Sequence, residues 1–148
     1  MTTVRSLHPP RALMRRVVNP VVRGLLRSPA SRWTGTLLLL EFTGRRTGRR
    51  LSVPALGHPV DGAVYVMTDA PWAANFRGGA PVVVHGRGRR TTRRGVLVED
   101  RAESAAAIRA TLAGSGARSL GLRMTPGTDP SDDELCAVRR SVRLDPPR

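Results

Sequence analysis

Residues 36–68 read TLLLLEFTGRRTGRRLSVPALGHPVDGAVYVMT, and this stretch decides the fold class of the protein. Its first part, Thr36–Thr43, is an apolar run with the length of a buried strand. Its middle part, Leu51–Val60, has alternating valine and leucine positions, which is typical of a strand with one buried face. Between them lies Gly44–Arg50, a loop of glycine, arginine and threonine. The pattern predicts two strands joined by a glycine-rich loop.

The end of this stretch and the residues after it predict three more strands. Asp61-Gly62 is a dipeptide typical of two-residue hairpin turns. The further strands are predicted at Ala63–Thr68, Pro81–His85 and Arg89–Glu99, with a loop or short helix over Asp69–Gly79 and a turn at Gly86-Arg87-Gly88. Five short strands joined by tight turns favour a mainly β (α+β) fold, an antiparallel barrel with flanking helices, over a parallel sheet.

An amphipathic helix is predicted ahead of the strands, over Pro10–Ser28. Apolar residues recur there at intervals of four, and arginines occupy the other faces. Pro20 interrupts the pattern and predicts either one kinked helix or two short helices. A basic amphipathic helix packs on a sheet or contacts a membrane surface or a partner, and these interpretations stay open.

A second helix is predicted directly after the fifth strand, over Asp100–Ala113. Asp100 is a suitable N-cap, and Glu103 follows three residues later, as in a capping box. Gly114 is a natural helix stop. The following segment, Ser115–Asp129, is rich in glycine and proline and is predicted to be irregular.

A short third helix and a last strand are predicted near the C-terminus. Ser131 and Glu134 repeat the capping pattern for a helix that ends near Ala137. In the predicted strand Val138–Leu144, an apolar face and a polar face alternate: Val138, Val142 and Leu144 against Arg139, Ser141 and Arg143. Arg140 falls on the apolar face, which places it either near a strand edge or in contact with an anion.

The composition indicates one small, basic domain spanning residues 1–148. Hydrophobic residues make up 40% of the chain, enough for one core, and aromatic residues only 3%. The net charge is +14, and every basic residue is arginine. Such a charge attracts polyanions, anionic membranes and phosphorylated small molecules.

Several classes of site are disfavoured by the sequence. The single cysteine, Cys136, excludes an intrachain disulfide, and with His8, His58 and His85 widely scattered no structural zinc or other metal site is predicted. The motifs G-x-S-x-G, H-E-x-x-H and C-x-x-C are absent. Without an evident secretory signal, the chain is predicted to be cytoplasmic, with membrane association through the first helix as an open alternative.

The loop between the first two strands has the composition of a phosphate-binding site. Its glycines allow a sharp turn that points N–H groups into a concavity, and arginine matches phosphate oxygens with a planar fork. The candidate residues are Thr43, Gly44, Arg45, Arg46, Thr47, Gly48, Arg49 and Arg50. The competing interpretation is a solvated hairpin loop with charged side chains.

Three segments resemble the deazaflavin-dependent nitroreductase family. They are TGRRTGRRLSVPAL, DGAVYVMTDAPW and NFRGGAPVVV, in this order, and the resemblance covers about Asn19 to Glu99. This family belongs to the split β-barrel flavin and deazaflavin oxidoreductases, which include pyridoxamine-phosphate-oxidase-like proteins. The resemblance implies a split barrel that binds coenzyme F-420 (an 8-hydroxy-5-deazaflavin) in a groove, with FMN as the alternative cofactor.

The resemblance also implies roles for residues outside the loop. Val53, Pro54 and Ala55 would line the ring of the cofactor, and Thr68, Asp69, Ala70 and Trp72 would approach it through backbone groups. Trp72 and Asn75 would close the groove, although either could instead have a structural role as a loop anchor or a turn residue. No catalytic side chain is assigned.

The implied function is an oxidoreductase that transfers a hydride from reduced coenzyme F-420 to a hydrophobic acceptor such as a quinone, an enone or a nitro compound. The first alternative is a non-catalytic carrier of F-420, FMN or haem on the same barrel. The second is a nucleic-acid-binding module that uses the arginine-rich run Arg87–Arg94, but aromatic stacking residues are missing near it. Relatives with this barrel often form homodimers, so the resemblance implies a homodimer for this chain as well.

Overall fold

The computed structural model of the protein describes residues 4–6, 37–86, 88–115, 120, 122–124, 127 and 129–146. The strands are β1 (Val4–Ser6), β2 (Leu37–Thr43), β3 (Arg50–Val60), β4 (Ala63–Thr68), β5 (Ala80–Gly86), β6 (Arg89–Leu97), β7 (Leu122–Met124) and β8 (Arg140–Asp145). The helices are a 3-10 helix (Pro71–Phe76), α1 (Arg101–Ser115) and α2 (Asp132–Val138).

Six of the strands close into an antiparallel barrel in the order β2-β3-β4-β8-β6-β5. The remaining pair, β1 and β7, forms a separate two-stranded antiparallel sheet. The predicted mainly β, antiparallel barrel with flanking helices is therefore confirmed. The amphipathic helix predicted over residues 10–28 lies outside the described residues.

The hairpin between β3 and β4 shows why the sequence could predict these two strands and the turn between them. Asp61 and Gly62 have φ angles of 49° and 82°, so both central residues of the turn are left-handed. Such a two-residue turn matches the twist of the flanking strands, and Val60 pairs directly with Ala63. The turn thus sets the register of the whole hairpin.

The barrel encloses one apolar core, and its two ends differ. Alternate residues of β2, such as Leu40 and Phe42, point into the barrel with partners from the other strands. One end is closed by the 3-10 helix, where Ala73 and Phe76 are fully buried. Complete burial of a phenylalanine stabilises the fold by about 1.5–3 kcal/mol. The hairpin loop between β2 and β3 lies at this same end.

Helix α1 covers the outer face of the barrel and forms a second core. Ile108 is fully buried against Tyr65 and Met67 of β4. The predicted polar face of the last strand is therefore also covered: Arg139 and Ser141 are buried, and Ser104 Oγ lies 3.0 Å from Ser141 Oγ. The alternating pattern correctly predicted a strand, but it could not show that a helix packs on the strand's polar side.

The N-terminus of α1 forms only half of the predicted capping box. Asp100 Oδ1 accepts hydrogen bonds from the N–H groups of Ala102 (2.9 Å) and Glu103 (3.3 Å), as an N-cap does. The Glu103 carboxylate instead accepts hydrogen bonds from Tyr65 and Arg143. The predicted stop at Gly114 is wrong, because this residue lies within α1.

The C-terminal elements agree in part with the sequence pattern. The capping box of Ser131 and Glu134 is complete at the start of α2. The segment predicted to be irregular contains β7, which pairs with β1 at the far end of the sequence. Strands of three residues carry too little periodicity to be predicted. In the described part of the chain, no helix is long and apolar enough to span a bilayer.

Candidate functional site

The loop between β2 and β3 is a closed turn held by its own backbone. Gly44 N donates to Arg49 O at 2.8 Å, and Gly48 N donates to Gly44 O at 2.9 Å. Gly48 has a φ of 67°, which favours glycine. The expected anion-facing glycine N–H groups are thus used inside the loop. The N–H groups of Arg46 and Thr47 have no hydrogen-bond partner among the described residues and remain as donors.

The arginines of the loop differ in whether their guanidinium groups form an ion pair. Arg50 Nη2 donates to the buried carboxylate of Glu41 at 3.1 Å, which ties it to the barrel wall. Arg46 and Arg49 are exposed, and within the described chain their guanidinium groups have no ion pair. Two uncompensated forks beside two free N–H groups can bind an anion such as a phosphate.

Asn75 connects this loop to the 3-10 helix. Its Oδ1 accepts a hydrogen bond from Arg45 N, and its Nδ2 donates to Trp72 O, both at 2.8 Å. Both ends of the amide are therefore engaged within the protein. The structural interpretation of Asn75 as a turn residue describes this geometry, and the side chain fixes where the loop lies relative to Trp72.

Trp72 belongs to an aromatic cluster at the closed end of the barrel. Its ring centroid lies 5.8 Å from Phe42 and 6.0 Å from Phe76, the latter in a T-shaped arrangement. Trp72 is only partly buried. The indole is thus anchored on its inner side, and part of its surface stays open for a ligand.

Part of β3 lies next to this cluster without a neighbouring strand on one side. β3 pairs with β4 only over Gly57–Val60, so in the described structure no strand pairs with residues 53–56 on that side. Val53 and Ala55 pack against the barrel core, whereas Pro54 points to the opposite face, because side chains alternate along a strand. The three side chains predicted to line a ring therefore do not share one face, but their backbone shares one edge.

The turn after β4 is held by a threonine and by an arginine from β8. Thr68 Oγ1 accepts a hydrogen bond from Ala70 N at 3.0 Å, and Ala70 O accepts one from Arg140 Nη2 at 3.2 Å. Arg140 is the first residue of its strand, and its guanidinium reaches a carbonyl rather than a free anion. Arg140 thus lies at the end of a strand inside the closed barrel, paired with Thr68 of β4, and neither a sheet edge nor a bound anion describes it.

Asp69, in the same turn, faces the buried guanidinium of Arg139 at 3.8 Å. Burial lowers the pKa of Arg139, and the charge of Asp69 opposes that effect. An arginine nonetheless stays protonated in a protein. Asp69 therefore partly compensates a buried cation, which limits its role toward an anionic ligand.

Sequence reasoning missed three residues beside the loop. Gly78 and Gly79 have φ angles of 77° and 88°, and Arg94 Nη2 donates to Gly78 O at 2.9 Å. The guanidinium of Arg45 lies over the same pair, about 4.0 Å from where a Cβ of Gly78 would stand. Both glycines lie in the segment NFRGGAPVVV, so their adjacency in the sequence could have indicated a tight turn at this position. Within the described residues, no group of three metal-ligating side chains forms.

Comparison with known proteins relates this chain to others by fold only. No family model and no curated protein sequence matches it. Among solved structures, a domain-swapped dimer aligns with a TM-score of 0.52 at 12% identity, covering 93% of this chain and all of the other. At this identity the likeness concerns the fold.

Two further solved structures are weaker matches. One is the FAD and heme binding protein from Mycobacterium smegmatis, with a TM-score of 0.47, 17% identity and coverage of 79% of this chain and 63% of the other. The other, from Corynebacterium glutamicum, is provisionally described as a pyridoxamine 5′-phosphate oxidase, with a TM-score of 0.40, 17% identity and coverage of 98% and 93%. The similarity of fold therefore rests on the domain-swapped dimer.

Proposed function

We propose that the protein binds a flavin-type cofactor, coenzyme F-420 in the first place and FMN as the alternative, and that it reduces a hydrophobic acceptor. The observation that carries the proposal is the loop Gly44–Arg49, where exposed, uncompensated guanidinium groups stand beside free backbone N–H groups. A cofactor phosphate satisfies both kinds of donor at once.

The loop is suited to this role because its own hydrogen bonds constrain its shape. Its two internal backbone hydrogen bonds and the Arg45–Asn75 hydrogen bond hold the donors in place. A preorganised site does not lose loop entropy on binding, so more of the electrostatic attraction contributes to affinity. The net charge of +14 also raises the local concentration of anionic ligands.

The ring system would lie along residues 53–56 of β3, where no described strand pairs on one side, and beside Trp72. Edge N–H and C=O groups offer hydrogen bonds to the polar edge of an isoalloxazine or deazaflavin ring, apart from Pro54, which has no N–H. The exposed part of Trp72 offers an apolar surface for the ring face. The loop leads directly into β3, so the phosphate-binding residues and the residues beside the ring would lie along one strand.

The cofactor supplies hydride chemistry when it is bound, and the chain's own residues bind and orient it. Arg46 and Arg49 would hold the anionic end. Trp72, fixed by Phe42 and Phe76, would exclude water from one side of the groove. Acceptors such as quinones, enones or nitro compounds fit a partly apolar groove. With no acidic side chain assigned to donate a proton, the proton would come from solvent.

A titration tests the proposal. Oxidised F-420 and FMN are added to the purified protein, and binding is followed by fluorescence. We expect the double variant Arg46→Ala/Arg49→Ala to lose at least about tenfold in affinity, or 1.4 kcal/mol, without loss of folding. The matched control is Arg89→Ala/Arg90→Ala, which removes the same charge from exposed positions that have no ion pair in the described chain. Equal weakening in both double variants would show that only net charge matters.

A carrier without catalysis is the alternative on the same barrel. Catalysis requires the oxidation of reduced F-420 to accelerate when a quinone is added, and a carrier leaves that rate unchanged. Haem as the cargo is less well supported by the described histidines, because His58 and His85 are buried in the barrel wall. An axial ligand would need an imidazole that faces the haem site.

Nucleic acid is the least supported partner. Arg89 and Arg93 line a cavity, whereas Arg90 and Arg94 lie on the opposite face of the same strand, so these four described arginines are divided between two faces. Steep salt dependence of duplex binding would favour this partner.

We also propose a homodimer, since one solved structure of similar fold is a domain-swapped dimer. Sedimentation equilibrium measures the assembly directly.

A further inference from the structure

The barrel has a cavity of about 390 Å³ at the end opposite the hairpin loop. Its described lining comes from the ends of strands that meet there: the start of β2, β4 and β6, and the end of β3, β5 and β8. The 3-10 helix closes the other end with Phe76 and Ala73. The volume is within the range of small-molecule pockets.

One wall of this cavity is apolar. Leu38, Val64, Val84 and Leu144 contribute side chains to it, and Gly57 and Gly86 flank Leu38. A Cβ at either glycine would lie within 2.7 Å of a methyl group of Leu38, so a larger residue at either position would require the Leu38 side chain to shift. The glycines thus let Leu38 lie across the cavity as an apolar surface.

Another part of the lining is polar and basic and comes from β6, next to Val84 and Leu144 on the neighbouring strands. Arg89, Thr91 and Arg93 alternate along the strand and point to the same side. In the described chain, neither arginine has an ion pair or a side-chain hydrogen bond. Two cations without a counter-ion beside an apolar surface are complementary to an anion that carries an apolar group.

We propose that this cavity binds a small amphipathic carboxylate, with its hydrocarbon part against Leu38, Val84 and Leu144 and its anionic head on Arg93 and Arg89. Arg93, which is half-buried, is the principal head-group contact, because its surroundings exclude more water than those of the exposed Arg89. Thr91 lies between the two arginines and offers a hydroxyl donor. This site is separate from the proposed cofactor site and does not depend on it.

Octanoate is the probe, added to cofactor-free protein and followed by calorimetry and by displacement of anilinonaphthalene sulfonate. We expect Arg93→Ala to weaken octanoate binding about tenfold, since a charge-assisted contact is lost. Arg90→Ala is the matched control: it removes the same charge from the same strand but from the outer face, and affinity should change by less than about twofold. Octanol, which has the chain without the charge, should bind at least about tenfold more weakly than octanoate.

A second variant distinguishes binding inside the cavity from binding on the protein surface. Thr91→Trp fills the space at a position whose side chain is exposed at the rim, and we expect it to abolish binding. The proposal is overturned if octanoate does not bind, if Arg90→Ala and Arg93→Ala weaken it equally, or if Thr91→Trp leaves the affinity unchanged. Circular dichroism of each variant checks folding, and if Thr91→Trp fails to fold, the comparison of Arg93→Ala with Arg90→Ala decides alone.

Discussion

The backbone N–H of Arg45 donates a 2.8 Å hydrogen bond to Oδ1 of Asn75, 30 residues further along the chain. This bond joins the hairpin loop to the 3-10 helix that closes the barrel, and Asn75 Nδ2 continues it to Trp72 O. The two parts of the proposed cofactor site therefore keep a defined position relative to each other. Exposed loops without such a link lose donor geometry to thermal motion.

The first prediction concerns this link. Asn75→Ala removes both hydrogen bonds, so we expect a loss of about 1–2 kcal/mol in the free energy of unfolding. We also expect faster cleavage by trypsin within Gly44–Arg49, because the loop is rich in arginine and no longer tied. Asn75→Asp is the matched control, since it keeps an acceptor for Arg45 N. Equal cleavage rates in both variants would contradict a role for the Arg45 bond.

The second prediction concerns packing at the closed end. A Cβ at Gly95 would lie 2.5 Å from Cδ1 of the fully buried Phe76, which cannot move without disturbing the aromatic cluster. Gly95→Ala should therefore destabilise the protein by about 1–3 kcal/mol. Gly114→Ala, within α1 and with open space around it, should stabilise by about 0.5–1 kcal/mol. Urea unfolding measures both, and a neutral Gly95→Ala would show that the ring has room to shift.

The third prediction uses the only tyrosine of the chain. Burial raises the pKa of Tyr65, and the hydrogen bond of its hydroxyl to Glu103 (3.1 Å) raises it further. Glu103→Gln removes the negative charge, so the pKa of Tyr65 should fall but stay above its ordinary value of 10.0, because burial is the larger cause.

Phenolate absorbance gives this pKa without interference from other tyrosines. Glu99→Gln is the control, because Glu99 is an exposed carboxylate that pairs with Arg77 instead. A pKa that is identical in wild type and Glu103→Gln would mean that the Tyr65–Glu103 contact is not formed in solution. The raised pKa also implies stability that is present at neutral pH and is lost as the pH rises above 10.0.

The fourth prediction concerns pH and His58. Burial lowers the pKa of this histidine below 6.5, so the unfolded chain binds a proton at a pH where the folded chain does not. The free energy of unfolding should therefore decrease as the pH falls from about 6.5 toward the folded-state pKa. In His58→Gln this contribution is gone, and the decrease between about pH 7 and 5 should be shallower. Urea unfolding at several pH values measures the two slopes, and parallel slopes would refute the assignment.

Local signals explain how much of the fold could be predicted. The Asp61-Gly62 turn and the capping box of Ser131 and Glu134 depend only on residues that are neighbours in sequence, and the structure contains both. The order of the strands along the chain followed from the same kind of signal. Glu103 shows the limit: its spacing from Asp100 predicts a capping box, but two distant partners, Tyr65 and Arg143, bind its carboxylate instead.

The candidate site shows the same division. Composition and periodicity are local properties, and they were enough to predict an arginine- and glycine-rich loop between two apolar strands. That Asn75 holds this loop and that Arg93 lines a cavity became visible only in the folded chain. Those facts depend on which strands close the barrel and which helix covers each face, and such long-range packing leaves no periodic trace in the chain.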